Sequence, residues 1–297
     1  MICICLTHDS RRPTLHDMVI DGKRISQGIL GELKKETMPG GIFAAILVGN
    51  DPASRSFLKI KAKIAKDLRI DFRVYEFPEK ISNDKLRLEI GKLAKSKAVS
   101  GVIVQLPLPV HLNRHYVLNA IPRGKDVDVL GERALGAFYA GRNAVLPPSV
   151  GTFEHIISSQ SVILGETTVV VVGLGLLVGR PIATWLMDKS KQIILLDKGS
   201  DLGLLLHADL VVSGVGRAGL IQPNMLKKGA SVIDFGYSMS EHESADGTKL
   251  LCGDLDASGL DTSSSQLSFF TPTPNGTGPI LVAKLFENFY RLASFHG

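Results

Sequence analysis

The sequence predicts an α/β protein of two lobes, with mainly parallel sheets carrying helices on both faces. Three observations carry this. Short apolar segments alternate with helical ones along nearly the whole chain, a glycine-rich turn follows an all-valine segment past the midpoint, and 297 residues suffice for two domains. The economical division places residues 1–147 in a first domain, 148–276 in a second, and 277–297 in a terminal helix.

In chain order, MVIDGKRISQGI from Met18 reads as a strand and a helix start. Residues 1–17 precede it with an apolar stretch too short for a secretion signal and basic residues on the wrong side of it, so they read as a dispensable extension or a misassigned start. GIFAAILVG (41–49) is a buried strand, and Asp51-Pro52 caps the helix after it. DFRVYEF (71–77) is a second strand, followed by a helix near 83–97. VSGVIVQLPLP (99–109) is a third strand, stopped by its prolines, with a short helix near 113–120 and a loop-rich stretch through 147. Helix 150–160 opens a second series: TTVVVVG (167–173), helix 178–188, QIILLD (192–197), ADLVVSGV (208–215) and ASVIDFG (230–236). The turn-rich TPTPNGTGP precedes a helix over 277–294.

Composition bounds the function. With 44% hydrophobic and 21% charged residues, the chain is globular; its net charge of +5 is scattered, which excludes a nucleic-acid-binding arm and fits an anionic small molecule. No apolar run reaches the roughly 20 residues that span a bilayer. Cys3, Cys5 and Cys252 lack metal-ligand spacing and cannot all pair, which points to a reducing cytoplasm and no metal site.

The helix after Asp51 carries the first chemical signal. At about 100° per residue, Ala53, Phe57, Ile60, Ile64, Ala65 and Leu68 form an apolar face with Leu58 at its margin, while Arg55, Lys59, Lys63 and Lys66 fall opposite. Lys61 falls inside the stripe, near Phe57 and Ser54. Either it snorkels to solvent, or it is a partly desolvated amine with a lowered pKa, suited to proton transfer.

The second signal is VVVVGLGLLVGRP. Gly173, Gly175 and Gly179 follow an apolar strand and precede a helix, where bare backbone approaches a dinucleotide pyrophosphate. This makes the second lobe a Rossmann-type, doubly wound parallel sheet. The spacing is one residue longer than the common fingerprint, so a glycine turn without a ligand stays open. Asp197, ending the next strand, suits a ribose hydroxyl and favours NAD; Lys198 offers its charge to the 2′-phosphate of NADP.

ILVGNDPASRSFLKIKAK, GVIVQLPLP, KDVD, GRP, VIDFG and TPTPNGTGP occur in the order and spacing of the bifunctional methylenetetrahydrofolate dehydrogenase/methenyltetrahydrofolate cyclohydrolase family, which the chain resembles over about residues 18–294. The resemblance implies an N-terminal α/β folate lobe, a dinucleotide lobe, a C-terminal helix packed back on the first lobe, and a cytoplasmic homodimer joined through the second. It implies oxidation of 5,10-methylenetetrahydrofolate with NADP and hydrolysis of the methenyl product to 10-formyltetrahydrofolate. It assigns catalysis to Lys61, Gln105 and Asp128. Substrate contacts fall on Ser54, Phe57, Pro107, Pro274, Gly276 and Gly278. Cofactor contacts fall on Gly173, Leu174, Gly175, Gly179, Arg180, Asp197, Lys198, Gly214 and Tyr237.

The chain also departs from that family. Phe57 stands where a tyrosine is usual; it keeps an aromatic face and loses a hydroxyl donor, from which slower hydrolysis is expected. Leu174 replaces an arginine and Gly175 a serine, and PPSVG (147–151) is one residue shorter than the usual PCTPxG. A dehydrogenase with a weakened hydrolytic step and a non-catalytic folate or nucleotide binder remain as alternatives, the second disfavoured by the presence of Lys61, Gln105 and Asp128. A hydroxy-acid dehydrogenase explains the glycine turn and leaves the first lobe unexplained.

Overall fold

The computed structural model describes residues 18–243, 249–260 and 267–294. The expectation for residues 1–17 therefore lies outside the described residues. After helix α1 (Gly22–Leu33) the first lobe runs β1 (Ile42–Val48), α2 (Pro52–Asp67), β2 (Asp71–Phe77), α3 (Asn83–Lys95), β3 (Val99–Val104), α4 (Arg114–Leu118) and α5 (Glu132–Tyr139). Helix α6 (Pro148–Ser159) leads to β4 (Thr168–Val172), α7 (Gly179–Leu186), β5 (Gln192–Leu196), β6 (Leu210–Ser213), β7 (Ser231–Asp234) and a hairpin of β8 (Ser238–Glu243) and β9 (Lys249–Cys252). Helix α8 (Thr277–Ser294) closes the described chain.

Two parallel sheets result, ordered β2-β1-β3 and β5-β4-β6-β7. The central strands β1 and β4 are apolar at almost every position because helices cover both faces, whereas β2, at an edge, is largely exposed. Parallel strands of one sheet end on the same side, so Gly173, Asp197 and Gly214 emerge together at the C-terminal edge of the second sheet, and Gln105 at that of the first, the edges where open α/β sheets bind ligands.

Helix α8 returns to the first lobe along α1 and β3. Phe289 stacks on Phe43 at 4.5 Å between ring centres, and Phe286 meets the same ring edge-on at 5.6 Å. Strand β3 admits this helix through Gly101: a β-carbon there would lie 2.7 Å from the Phe289 ring.

Several expected elements differ. The third strand stops at Val104, because Gln105 turns into a loop carrying a cis Leu106–Pro107 bond. The stretch expected to be loop contains α5, which buries Ala134 and Phe138 yet offers only eight residues and an interior Gly136 as signal. The β8–β9 hairpin was not foreseen in its polar sequence, and the strand expected at Met18 reduces to a bridge between Val19 and Phe270. On α2 the buried positions are Ser54, Leu58, Ala65 and the following Leu68. Leu58 is thus central to the packed face, and Ala53 and Ile60 are exposed. Helix α2 packs mainly along β2, which turns its inner face about one residue away from the direction that hydrophobicity alone indicates.

Candidate active site

Lys61 lies between Leu58 and Ala65 on the inward face of α2, partly buried and aimed at the end of β3. Helix α2 starts where it does because the Asp51 carboxylate accepts the Ser54 N–H at 2.7 Å and Pro52 occupies the first turn. The Lys61 ammonium donates to Gln105 Oε1 at 2.9 Å, and the Gln105 amide donates to the Leu106 carbonyl at 2.9 Å. The second bond fixes which end of the Gln105 amide meets the lysine. Asp128 completes the group. Burial pulls the Lys61 pKa below the ordinary lysine value and pushes the Asp128 carboxyl up, while their mutual attraction opposes both shifts.

The turn presenting Asp128 is built by residues that sequence reading left unassigned. Val129, fully buried, takes φ +57°, a left-handed conformation that a β-branched residue adopts only when its surroundings impose it. Asp126 imposes it from one side: its buried carboxylate accepts the N–H groups of Leu130 at 3.0 Å and Gly131 at 2.7 Å. Burial raises its pKa to about 7. Asn288 of α8 acts from the other side, donating to the carbonyls of Val127 at 2.9 Å and Leu146 at 2.7 Å. The first acid of KDVD was a readable signal for Asp126; nothing local marks Asn288.

The glycine turn has the geometry of a phosphate cradle. Gly173 adopts φ +84°, and a β-carbon on Gly179 would lie 1.9 Å from the Gly173 carbonyl oxygen, so the helix start and the strand end touch backbone to backbone. Gly175 opens on free space. The Gly173 N–H donates to the Leu196 carbonyl at 2.8 Å, which brings the exposed Asp197 and Lys198 beside the turn. Arg180 folds back, its Nε donating to the Leu174 carbonyl at 2.8 Å. Gly214 joins through its N–H to Val172, and a β-carbon on it would strike Val178. The loop beyond is held by buried Asp254, which accepts from the Ser213 hydroxyl at 2.6 Å and the N–H groups of Val215 and Arg217 at 2.8 and 2.7 Å. This arrangement fits a dinucleotide.

Phe57 and Tyr237 meet across the cleft, one from each lobe, with ring centres 5.3 Å apart and planes tilted by 54°. Pro107 is exposed in the loop next to Gln105. Ser54 is 1% exposed, its hydroxyl buried without a partner among the described residues, so it underlies the helix and does not face the open cleft. Pro274, Gly276 and Gly278 lie on the segment pinned to β7 by Thr271 and Thr277; Gly276 packs so closely on Gly22 that a β-carbon there would lie 1.7 Å from its carbonyl oxygen. None of the described hydrogen bonds joins them to the Lys61 group.

Two family models match the chain: tetrahydrofolate dehydrogenase/cyclohydrolase, catalytic domain, over residues 20–128, and tetrahydrofolate dehydrogenase/cyclohydrolase, NAD(P)-binding domain, over 148–296. A bifunctional protein FolD from Exiguobacterium sp. is 34% identical over 285 residues, covering 93% of this chain and 99% of the relative. The crystal structure of the bifunctional FolD enzyme of Campylobacter jejuni superposes with a TM-score of 0.85 at 31% identity, covering 93% of this chain and 98% of that one. The Trypanosoma brucei FolD complexed with NADP and an inhibitor gives 0.85 at 27% identity, covering 93% and 97%.

Proposed function

The chain belongs to the tetrahydrofolate dehydrogenase/cyclohydrolase family, as a methylenetetrahydrofolate dehydrogenase and methenyltetrahydrofolate cyclohydrolase, and from that premise we propose that Lys61, Gln105 and Asp128 carry its hydrolytic chemistry. It oxidises 5,10-methylenetetrahydrofolate with NAD(P)+ and hydrolyses the methenyl product to 10-formyltetrahydrofolate. The observation behind the proposal is the 2.9 Å bond from Lys61 to Gln105 at the floor of the cleft, with the Asp128 charge acting on the same amine.

The methenyl bridge is an electrophilic amidinium carbon. A water adding to it must lose a proton, and the bridge must then open at one nitrogen. Lys61, its pKa lowered by burial, holds a neutral amine nearer to neutral pH than a surface lysine does, and that amine accepts the proton. Gln105 orients the amine, and Asp128 offers two acceptor oxygens to the N–H edge of a pterin. The dinucleotide supplies the hydride acceptor when bound; Gly173, Gly175 and Gly179 would hold its pyrophosphate. Leu174 and Asp197 favour NAD over NADP, against Lys198, and we read the preference as NAD. We divide the chain at 147/148, a reading supported by the break between the two family matches, and read it as a cytoplasmic homodimer formed through the second lobe. No described helix is long and apolar enough to cross a membrane.

The test follows the two reactions separately by absorbance, for wild type and Lys61→Ala. The variant is expected to lose about a hundredfold or more in hydrolysis, with dehydrogenase activity reduced far less. In wild type, hydrolytic kcat is expected to fall as pH drops through the lowered Lys61 pKa, because protonation removes the acceptor. Full hydrolysis by Lys61→Ala sinks the assignment.

A further inference from the structure

The lysine wall of the cleft carries an amine, an amide and a carboxylate, but neither Phe57 nor the Lys61, Gln105, Asp128 group brings a hydroxyl. Phe57 precedes Lys61 by four residues on α2, so the two side chains are neighbours on one helix face. The residue that reaches this face from the other lobe is Tyr237.

Its mounting is rigid. Tyr237 follows Gly236, whose N–H donates to Asp234 at 2.6 Å and whose carbonyl accepts from the Thr273 hydroxyl at 3.3 Å. Only glycine fits there, since a β-carbon would lie 2.4 Å from the Asp254 carboxyl carbon. On the side facing the dinucleotide lobe, the Tyr237 carbonyl oxygen lies 3.8 Å from the point where a β-carbon on Gly216 would stand, against the loop after β6.

The side chain behaves differently from its support. Tyr237 is 52% exposed, and no hydrogen bond among the described residues engages its hydroxyl. A ring kept for packing buries its surface, and a buried phenol finds a partner. This one stands on a fixed segment, meets the Phe57 ring at a tilt, and stays half-exposed with its hydroxyl outside every described hydrogen bond. The contact with Phe57 puts that donor in the same part of the cleft as residue 57, one helical turn from Lys61.

We propose that Tyr237 is a positioning residue for the hydrolytic step, supplying from the second lobe the hydroxyl that position 57 lacks. This rests on the cyclohydrolase reading above and deepens it: the hydroxyl donates to the bound folate or its attacking water only when the two lobes face each other, so the dinucleotide lobe contributes a group to the reaction that needs no dinucleotide. The donor keeps its proton, and Lys61 remains the acceptor.

The test compares full-length wild type, Tyr237→Phe, and Tyr237→Phe combined with Phe57→Tyr, on methenyl- and methylenetetrahydrofolate. Loss of one hydrogen bond to the reacting group predicts a fall of about tenfold in hydrolytic kcat for Tyr237→Phe. That loss falls on kcat and not on the dinucleotide KM of the dehydrogenase reaction. Adding Phe57→Tyr moves the hydroxyl back across the ring contact and is expected to restore most of the rate, an outcome that a packing role does not produce. Full activity in Tyr237→Phe, a loss confined to the dinucleotide KM, or a double variant that stays slow overturns the inference. Wild type inert on both folates overturns the cyclohydrolase reading together with it, so the two failures are told apart by the wild-type rate.

Discussion

On the first lobe, Lys61, Gln105 and Asp128 meet as side chains delivered by a helix, a strand end and a turn; on the second, Gly173, Gly175 and Gly179 present bare backbone from one continuous turn. The first arrangement carries charge into a buried place and needs outside support, from Asp126 and Asn288, to hold it there. The second carries no charge and is supported by its own chain, Gly179 against Gly173. A site of side chains is therefore sensitive to distant residues. A site of backbone is sensitive to any added atom.

The sharpest way to break this comparison is Gly179→Ala. Its β-carbon would stand 1.9 Å from the Gly173 carbonyl oxygen, a contact that neither backbone can relieve without opening the turn. We expect dehydrogenase kcat/KM to fall by about a hundredfold or more, as 3 to 4 kcal/mol of turn and phosphate geometry is lost. Hydrolysis, whose proposed Lys61, Gln105 and Asp128 group lies outside this turn, is expected to persist. Equal loss of both activities would mean that the lobes do not work as separate materials.

The same contrast explains what could be read from the chain alone. A backbone site writes itself locally: a valine strand, three glycines and a helix start are contiguous. Lys61 was also legible, because helical projection set it apart from Lys59, Lys63 and Lys66, although the projection mistook Ala53 and Ile60 for buried residues. The supports were not. Asn288 reaches Val127 across 161 residues and Leu146 across 142, and it binds carbonyls, which every residue possesses, so no local pattern distinguishes the partner. Asp254 shares this opacity: its carboxylate serves the N–H groups of Val215 and Arg217, about 40 residues away in the chain. Tyr237 was read as a cofactor residue, and its contact with Phe57 emerged only from the facing of the two lobes.

Asn288→Leu tests the dependence of the first site on remote support. The substitution keeps the branching with bulkier methyl groups, removes two hydrogen bonds and leaves the buried Val127 carbonyl and the partly buried Leu146 carbonyl without their donor. A loss of about 2 to 4 kcal/mol in unfolding free energy is expected from denaturant titration. Because Val127 adjoins Asp128, folate KM is expected to rise while dinucleotide KM holds. Unchanged stability would show that α8 secures the KDVD turn through its aromatic packing on Phe43 alone.

The smallest effect concerns the rim of the second site, where side chains decide a preference that the backbone leaves open. Asp197 follows β5 at the end that meets the glycine turn, exposed, with its N–H accepted by the Ser200 hydroxyl at 3.0 Å. In the proposed reading its carboxylate would accept from a ribose hydroxyl and repel a 2′-phosphate, and Leu174 adds no opposing charge. Lys198 alone favours the phosphate, and at an exposed position solvent and salt screen it as they screen the aspartate. On the proposed reading the aspartate would act twice, through a hydrogen bond to one cofactor and repulsion of the other, while the lysine would act once. NAD is therefore expected to win in wild type. Asp197→Ser is expected to shift the ratio of kcat/KM values toward NADP by about tenfold, the scale of one charge interaction near 1.4 kcal/mol. Lys198→Ala is expected to shift it the other way by less. A wild-type enzyme strongly selective for NADP, unmoved by Asp197→Ser, would place the selecting charge elsewhere, with Arg180 beside the Leu174 carbonyl the first residue to examine.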